Sequence, residues 1–231
     1  MRSWGARSDA AVSDEPFYAH YLSTLAPAKR SAHPAAEEVL QSQPTSWREV
    51  ADAMLSEVPG GKAVWYQKHM AHHATLGMDL GFLEGLTNIF LIRDPAAMIA
   101  SFSKVIPNPS AEDLGLPQQI RLFEHLRERT GRAPAVFDAS DILADPRRGL
   151  GAMCEAAGVA FDPAMLAWER GPRETDGVWA PHWYSAVYES TGFRPLGGPA
   201  PPVDVPDRLR LTLDRCRELY GRIAAHRTLA G

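Results

Sequence analysis

The sequence predicts an α/β fold, with a mostly parallel sheet flanked by helices. Short apolar runs alternate with amphipathic stretches, and turn residues separate them. The clearest run, TNIFLI at 87–92, carries no charge, as a strand buried on both faces should. Pro95 then stands where a helix can begin. Strands are expected near 10–14, 63–67, 88–92 and 135–138, in one sheet of at least three strands.

Along the chain, AAVSDEPF (10–17) begins as a strand and turns at Pro16. HPAAEEVLQSQ (33–43) reads as helical, and SWREVADAMLSEV (46–58) as a second helix. Ser46 and Glu49 have the spacing of a capping box there. KAVWYQKHM (62–70) starts as a strand and runs into histidines. PAAMIASFSKV (95–105) follows TNIFLI as a helix. In PQQIRLFEHLRERTG (117–131), Ile120, Phe123 and Leu126 share a face, and Gly131 ends the helix. APAVFDAS (133–140) is a short strand, and DPRRGLGAMCEAAGV carries the next helix. Periodicity then fades. The stretch 168–204 is rich in glycine and proline with Trp179, Trp183 and Tyr184, and reads as a lid or flap. A long amphipathic helix, 207–226, closes the chain. The organisation expected over 1–231 is a single domain with that lid.

With 231 residues and 45% hydrophobic content, the chain can bury a real core. A net charge of −4 argues against a general nucleic-acid binder, though not against a basic pocket for one anion. Cys154 and Cys216 give no metal signature and read as reduced core residues. No run reaches the roughly 18 apolar residues of a membrane span, and MRSWGARSD has no apolar signal core. A cytoplasmic location is the expectation.

Three constellations carry chemistry. In RDPAAMIAS, Arg93 leaves a strand and Ser101 follows eight residues later. A guanidinium fork grips phosphate in bidentate fashion, and Ser101 can reach the same anion. Alternatively, Arg93 pins the helix start through Asp94. In QKHMAHH (67–73), Lys68 can neutralise a transferring group and His69 can act as a base near neutral pH. His69, His72 and His73 have helical spacing, but no fourth ligand accompanies them, so no metal is expected. In DEPF, Glu15 could take a proton from an alcohol if burial raised its pKa, or else Asp14 or Glu15 simply caps a turn. In the lid, Arg170 and Arg173 could close on phosphates, and Trp179 could offer a face to a base.

Together these stretches resemble the sulfotransferase family. RDPAAMIAS resembles its 3'-phosphate-binding strand and helix, QKHMAHH its basic segment, AVSDEPF its base-bearing segment, and GPRETDGVWAPHWY its cofactor flap. The resemblance implies a P-loop nucleoside-triphosphate-hydrolase-like fold. It also implies 3'-phosphoadenylyl sulfate (PAPS) as sulfuryl donor and a small-molecule hydroxyl as acceptor. Glu15, His69 and Lys68 would be catalytic. Arg93, Ser101, Arg173 and Trp179 would bind the nucleotide. One departure stands out. The family opens with a strand and a phosphate-binding loop, whereas MRSWGARSDAAVSDEPF resembles the end of the helix after that loop, so the expectation is an N-terminally truncated version of the fold. A binding or scaffold protein without activity is therefore an alternative, and a P-loop small-molecule kinase a further one. The kinase signature GxxxxGK[ST] does not occur in the sequence.

Overall fold

The structure, a computed structural model, describes residues 1–194 and 203–228. It divides into two compact units, Met1–Phe82 with Asp162–Phe193, and Leu83–Phe161 with Arg194–Gly231.

In the first unit, β1 (Ala10–Asp14) pairs parallel with β2 (Val64–Lys68), in register from Ala10↔Val64 to Asp14↔Lys68. A parallel pair needs a long crossover. Here it holds the helices Tyr18–Thr24, Ala36–Ser42 and Trp47–Met54. Ser46 caps the last of these by accepting from the Glu49 amide, so its capping spacing is realised. Tyr18, Ala19, Tyr21, Leu22, Ala36 and Val39 form a core, and Trp179 joins it from the later segment.

In the second unit, β3 (Ile89–Ile92) pairs parallel with β4 (Ala135–Asp138). Asp94 caps the helix Pro95–Phe102 by accepting from the Ala97 amide at 2.9 Å, with Pro95 in its first turn. The helix Leu116–Thr130 lies between Gly115 and Gly131, both left-handed, and buries Ile120, Phe123 and Leu126. Leu213, Cys216, Leu219 and Ile223 recur every three or four residues on the helix Arg210–Ala224 and face the same core. Cys154 and Cys216 are both buried, and no disulfide joins them among the described residues.

The fold class needs correction. The sequence points to one sheet-dominated, P-loop-like architecture, but the described residues are mostly helical, with two separate two-stranded parallel sheets. The strands fall where the apolar runs are, and each pair is parallel. What fails is the inference from strand–helix alternation to a common sheet. Alternation constrains strand direction within a crossover. It does not determine how many strands share one ladder.

Candidate functional site

The site starts where β1 ends. Asp14 is the last strand residue, and the chain then turns sharply at Glu15 before Pro16. Glu15 has φ of 47°, a left-handed conformation that side chains other than glycine rarely adopt. Three hydrogen bonds hold it there. Its amide donates to the Lys68 carbonyl at 2.8 Å, and its carbonyl accepts from the Tyr18 amide at 3.0 Å and from Gln43 Nε2 at 3.2 Å. Backbone strain of this kind costs about 1–3 kcal/mol and concentrates at functional positions.

β2 ends in register at Lys68, so the parallel ladder sets that side chain beside Asp14 and Glu15. The Lys68 ammonium donates to Glu15 Oε1, to Asp14 Oδ1 at 3.3 Å and to the Tyr184 hydroxyl at 2.7 Å. Tyr184 in turn donates to the Asp14 carboxylate at 2.8 Å. The two carboxyl side chains are 1% and 9% exposed, and Lys68 is 24% exposed, so the group is largely closed to water.

Two carboxylates thus share one ammonium. Burial pushes the Glu15 carboxyl above its ordinary range, Lys68 pulls it back, and neighbouring Asp14 pushes it up again, for a net rise. Burial alone would discharge Lys68, but Glu15, Tyr184 and Asp14 outweigh it and hold the ammonium charged. A carboxylate raised in this way is a better base than a free one.

His73 completes the group. Its Nε2 lies 3.9 Å from Glu15 Oε2, and its ring stacks on Tyr18 and Tyr21 at centroid distances of 4.7 and 5.0 Å. Burial, then the neighbouring His72 and Lys68, hold it well below the usual histidine range, so it is neutral at pH 7.

Of the residues singled out from sequence, Glu15 and Lys68 meet directly. His69 packs its ring on Phe17 at 5.7 Å, and no hydrogen bond joins it to Glu15 or Lys68 among the described residues. Loss of hydration around the ring, then Lys68, lowers its pKa to about 4, although more than a third of its surface meets solvent, which moderates that shift. The three histidines do not share one face, since His72 and His73 are buried in a 3-10 turn and His69 is exposed. Among the described residues no three His, Cys, Asp or Glu side chains are grouped to hold a metal.

Arg173 is turned to its own segment, donating to the Glu169 carbonyl at 2.8 Å. Trp179 is 1% exposed in the core of the first unit, with Tyr18 edge-on at 5.0 Å, and so has no open face for a base to stack on. The segment read as a lid is held down over its described part. Arg2 makes a two-pronged bond to Asp176 at 2.7 and 2.8 Å, Trp179 is buried, and Tyr184 joins the Asp14–Lys68 group. Residues 195–202 of that stretch lie outside the described residues.

Arg93 and Ser101 belong to the second unit and are both exposed. Asp94 caps its helix rather than pairing with Arg93, and no ion pair engages Arg93 among the described residues. Ser101 sits about 9 Å along the helix axis from Pro95.

Three members of the group carry no sign of it in the local sequence: Asp14 reads as a turn cap, His73 as one of a histidine cluster, and Tyr184 as a lid aromatic. The usable signal was the strand register, because Asp14 and Lys68 end two parallel strands at the same level.

A family model described as "Sulfotransferase domain" matches residues 1–222. Two Arabidopsis thaliana proteins, branched-chain-amino-acid aminotransferase-like proteins 1 and 2, are 33% and 30% identical over 230 residues. These alignments cover 98% of this chain but 39% of each relative, so the chain spans about two-fifths of their length. Among solved structures, the sulfotransferase domain of the Synechococcus PCC 7002 olefin synthase aligns over 90% of this chain and 74% of its own, with 20% identity and a TM-score of 0.43. No helix among the described residues is long and apolar enough to cross a membrane. On the match over residues 1–222, the chain belongs to the sulfotransferase domain family.

Proposed function

We propose that the chain transfers a sulfuryl group from PAPS to the hydroxyl of a small-molecule acceptor, with Glu15 as the base. The observation that carries this reading is Glu15 itself. In a chain of the sulfotransferase domain family, a buried carboxylate is held in a strained backbone conformation against a lysine.

The donor supplies an already activated sulfuryl group. Glu15 takes the proton from the acceptor O–H as the acceptor oxygen bonds to sulfur. The bond from sulfur to the phosphate oxygen breaks, and adenosine 3',5'-bisphosphate leaves. Lys68 offsets charge growing on that bridging oxygen. Asp14 and Tyr184 keep the ammonium charged and aimed, and neutral His73 backs the second oxygen of Glu15. In the second unit, Arg93 and Ser101 suit the 3'-phosphate because both are exposed donors and Arg93 has no carboxylate partner among the described residues. Arg173 would have to release Glu169 to help, and His69 stands as an auxiliary base beside Lys68. Trp179 has no part in holding the nucleotide.

A second reading, nucleotide binding without transfer, has one observation in its favour. All three donors of the Lys68 ammonium are already engaged, by Asp14, Glu15 and Tyr184. Incubation with sulfur-labelled PAPS and a panel of alcohols and phenols separates the two. Labelled ester together with stoichiometric adenosine 3',5'-bisphosphate supports transfer. Saturable PAPS binding with no labelled ester across the panel supports the second reading, and preference for ATP over PAPS defeats the first.

A further inference from the structure

The two carboxylate oxygens of Glu15 meet different neighbours. Oε1 accepts from the Lys68 ammonium, and Oε2 faces the ring Nε2 of His73 at 3.9 Å. Both side chains are fixed from the backbone outward. Glu15 is held by its three hydrogen bonds, and the His73 amide donates to the Met70 carbonyl at 3.0 Å in the 3-10 turn Ala71–His73. Tyr18 stacks on the His73 ring with planes 14° apart, Tyr21 with planes 28° apart, and His72 meets it edge-on at 4.4 Å. The Tyr18 hydroxyl is hydrogen-bonded to His33 Nδ1 at 3.0 Å, so this clamp is itself anchored. The His73 side chain is 3% exposed and cannot turn without displacing these neighbours.

A neutral imidazole carries its proton on one nitrogen only. With the proton on Nε2, an N–H dipole points at a carboxylate. With it on Nδ1, a lone pair points at that carboxylate, and the N–H lies buried with no hydrogen-bond partner among the described residues. Both effects have the same sign, and a site largely closed to water screens neither of them much. Besides Glu15, the titratable groups around the ring are Lys68 and His69 at the end of β2, His72 in the same turn, His33, Tyr18 and Tyr21. Of these, Lys68 carries a full charge, and it opposes a second proton on the ring.

We propose that His73 is a positioning residue for Glu15, locked as the Nε2–H tautomer, which holds Oε2 and leaves Oε1 to receive the proton. The inference deepens the reading of Glu15 as the base and rests on it. As Lys68 turns to the leaving oxygen of the donor, Oε1 loses its ammonium while His73 keeps the carboxylate aimed. The acceptor O–H bond breaks and an Oε1–H bond forms. His73 gains no proton, because Nε2 already bears one and no hydrogen-bonded group leads to Nδ1 among the described residues. His73 is thus not a further base.

Long-range proton–nitrogen NMR of the histidine rings in the full chain reads the tautomer without any transfer. The His73 proton should sit on Nε2 between about pH 6 and 8, and a proton on Nδ1 would overturn the proposal. The consequence is read at the Glu15 carboxyl by carbon NMR. His73→Phe keeps a stacking ring but removes the N–H, and should raise the Glu15 midpoint by about one pH unit, the scale of one hydrogen bond to a charged group. In His73→Gln the amide NH2 takes the place of Nε2–H and should hold the midpoint within about 0.3 pH unit of the parent. In His73→Asn it takes the place of Nδ1, and the midpoint should rise as in His73→Phe. Equal midpoints in all four chains, or a rise in His73→Gln that matches His73→Phe, would overturn the proposal. Should the variants misfold, the tautomer in the parent chain decides it. The pH at which single-turnover transfer reaches half its plateau should move with the Glu15 midpoint. A parent chain that forms no labelled ester defeats the reading of Glu15 as the base, whatever the tautomer. Transfer by a chain whose His73 bears its proton on Nδ1 defeats this inference alone.

Discussion

Replacing Lys68 by methionine removes the ammonium and keeps most of the apolar stem. At an effective dielectric of about 20, unit charges 3.3 Å apart attract by about 5 kcal/mol, and Glu15 lies closer still than Asp14. Relief of the lysine's own burial offsets part of this. The usual cost of leaving a buried partner unpaired is about 3–5 kcal/mol, and that is the loss expected at pH 7. The pH dependence is the sharper test. The pKa of Glu15 is already raised in the folded protein, and without Lys68 it rises further. A raised carboxyl favours the folded state when protonated, and that contribution is lost as pH climbs through the folded pKa. The deficit of Lys68→Met should therefore shrink as pH falls from 7 to 5. Urea unfolding of both proteins at each pH measures it. A deficit below about 1 kcal/mol at pH 7, the scale of an exposed pair, or one that does not change between pH 7 and 5, would refute the reasoning.

Three further outcomes follow from the same physics. Asp176→Asn strands the Arg2 guanidinium, whose side chain is 6% exposed, and should cost about 3–5 kcal/mol with faster amide exchange across 173–184; a loss under about 1 kcal/mol would contradict this. His73 is neutral when folded and has an ordinary pKa near 6.5 when unfolded, so its contribution is complete above pH 6.5 and is lost as pH falls below it. His73→Phe should flatten the fall in stability between pH 6.5 and 5, and an ordinary titration of the His73 ring by NMR would refute it. Arg93→Ala should weaken adenosine 3',5'-bisphosphate by about 1.5–3 kcal/mol in calorimetry, against about 0.5–1.5 for Ser101→Ala. Equal loss for adenosine 5'-phosphate would make Arg93 structural.

Much of the local structure is legible in the sequence, because local rules govern it. The Ser46 cap, Asp94 before Pro95, and Gly131 after Thr130 are decided within a few residues. The strand runs are equally local. Sheet size is not, since each strand's neighbours are chosen across tens of residues. The site divides the same way. Glu15 and Lys68 could be picked out because each ends a visible strand. Tyr184 could not, because it reaches Asp14 from 170 positions away, and nothing near it marks the contact. Trp179 misled because an aromatic in an irregular stretch reads as accessible. Its indole instead fills the core beside Gly177, where an added Cβ would lie 2.1 Å from the ring.

The most direct test of the account is the transfer rate of Glu15→Gln at saturating PAPS. The amide keeps the size of the side chain but cannot accept the proton. Single-turnover formation of labelled ester should fall by about 10²–10⁴-fold, with PAPS affinity unchanged. A rate within about threefold of the parent chain would show that Glu15 is not the base and would contradict the central claim.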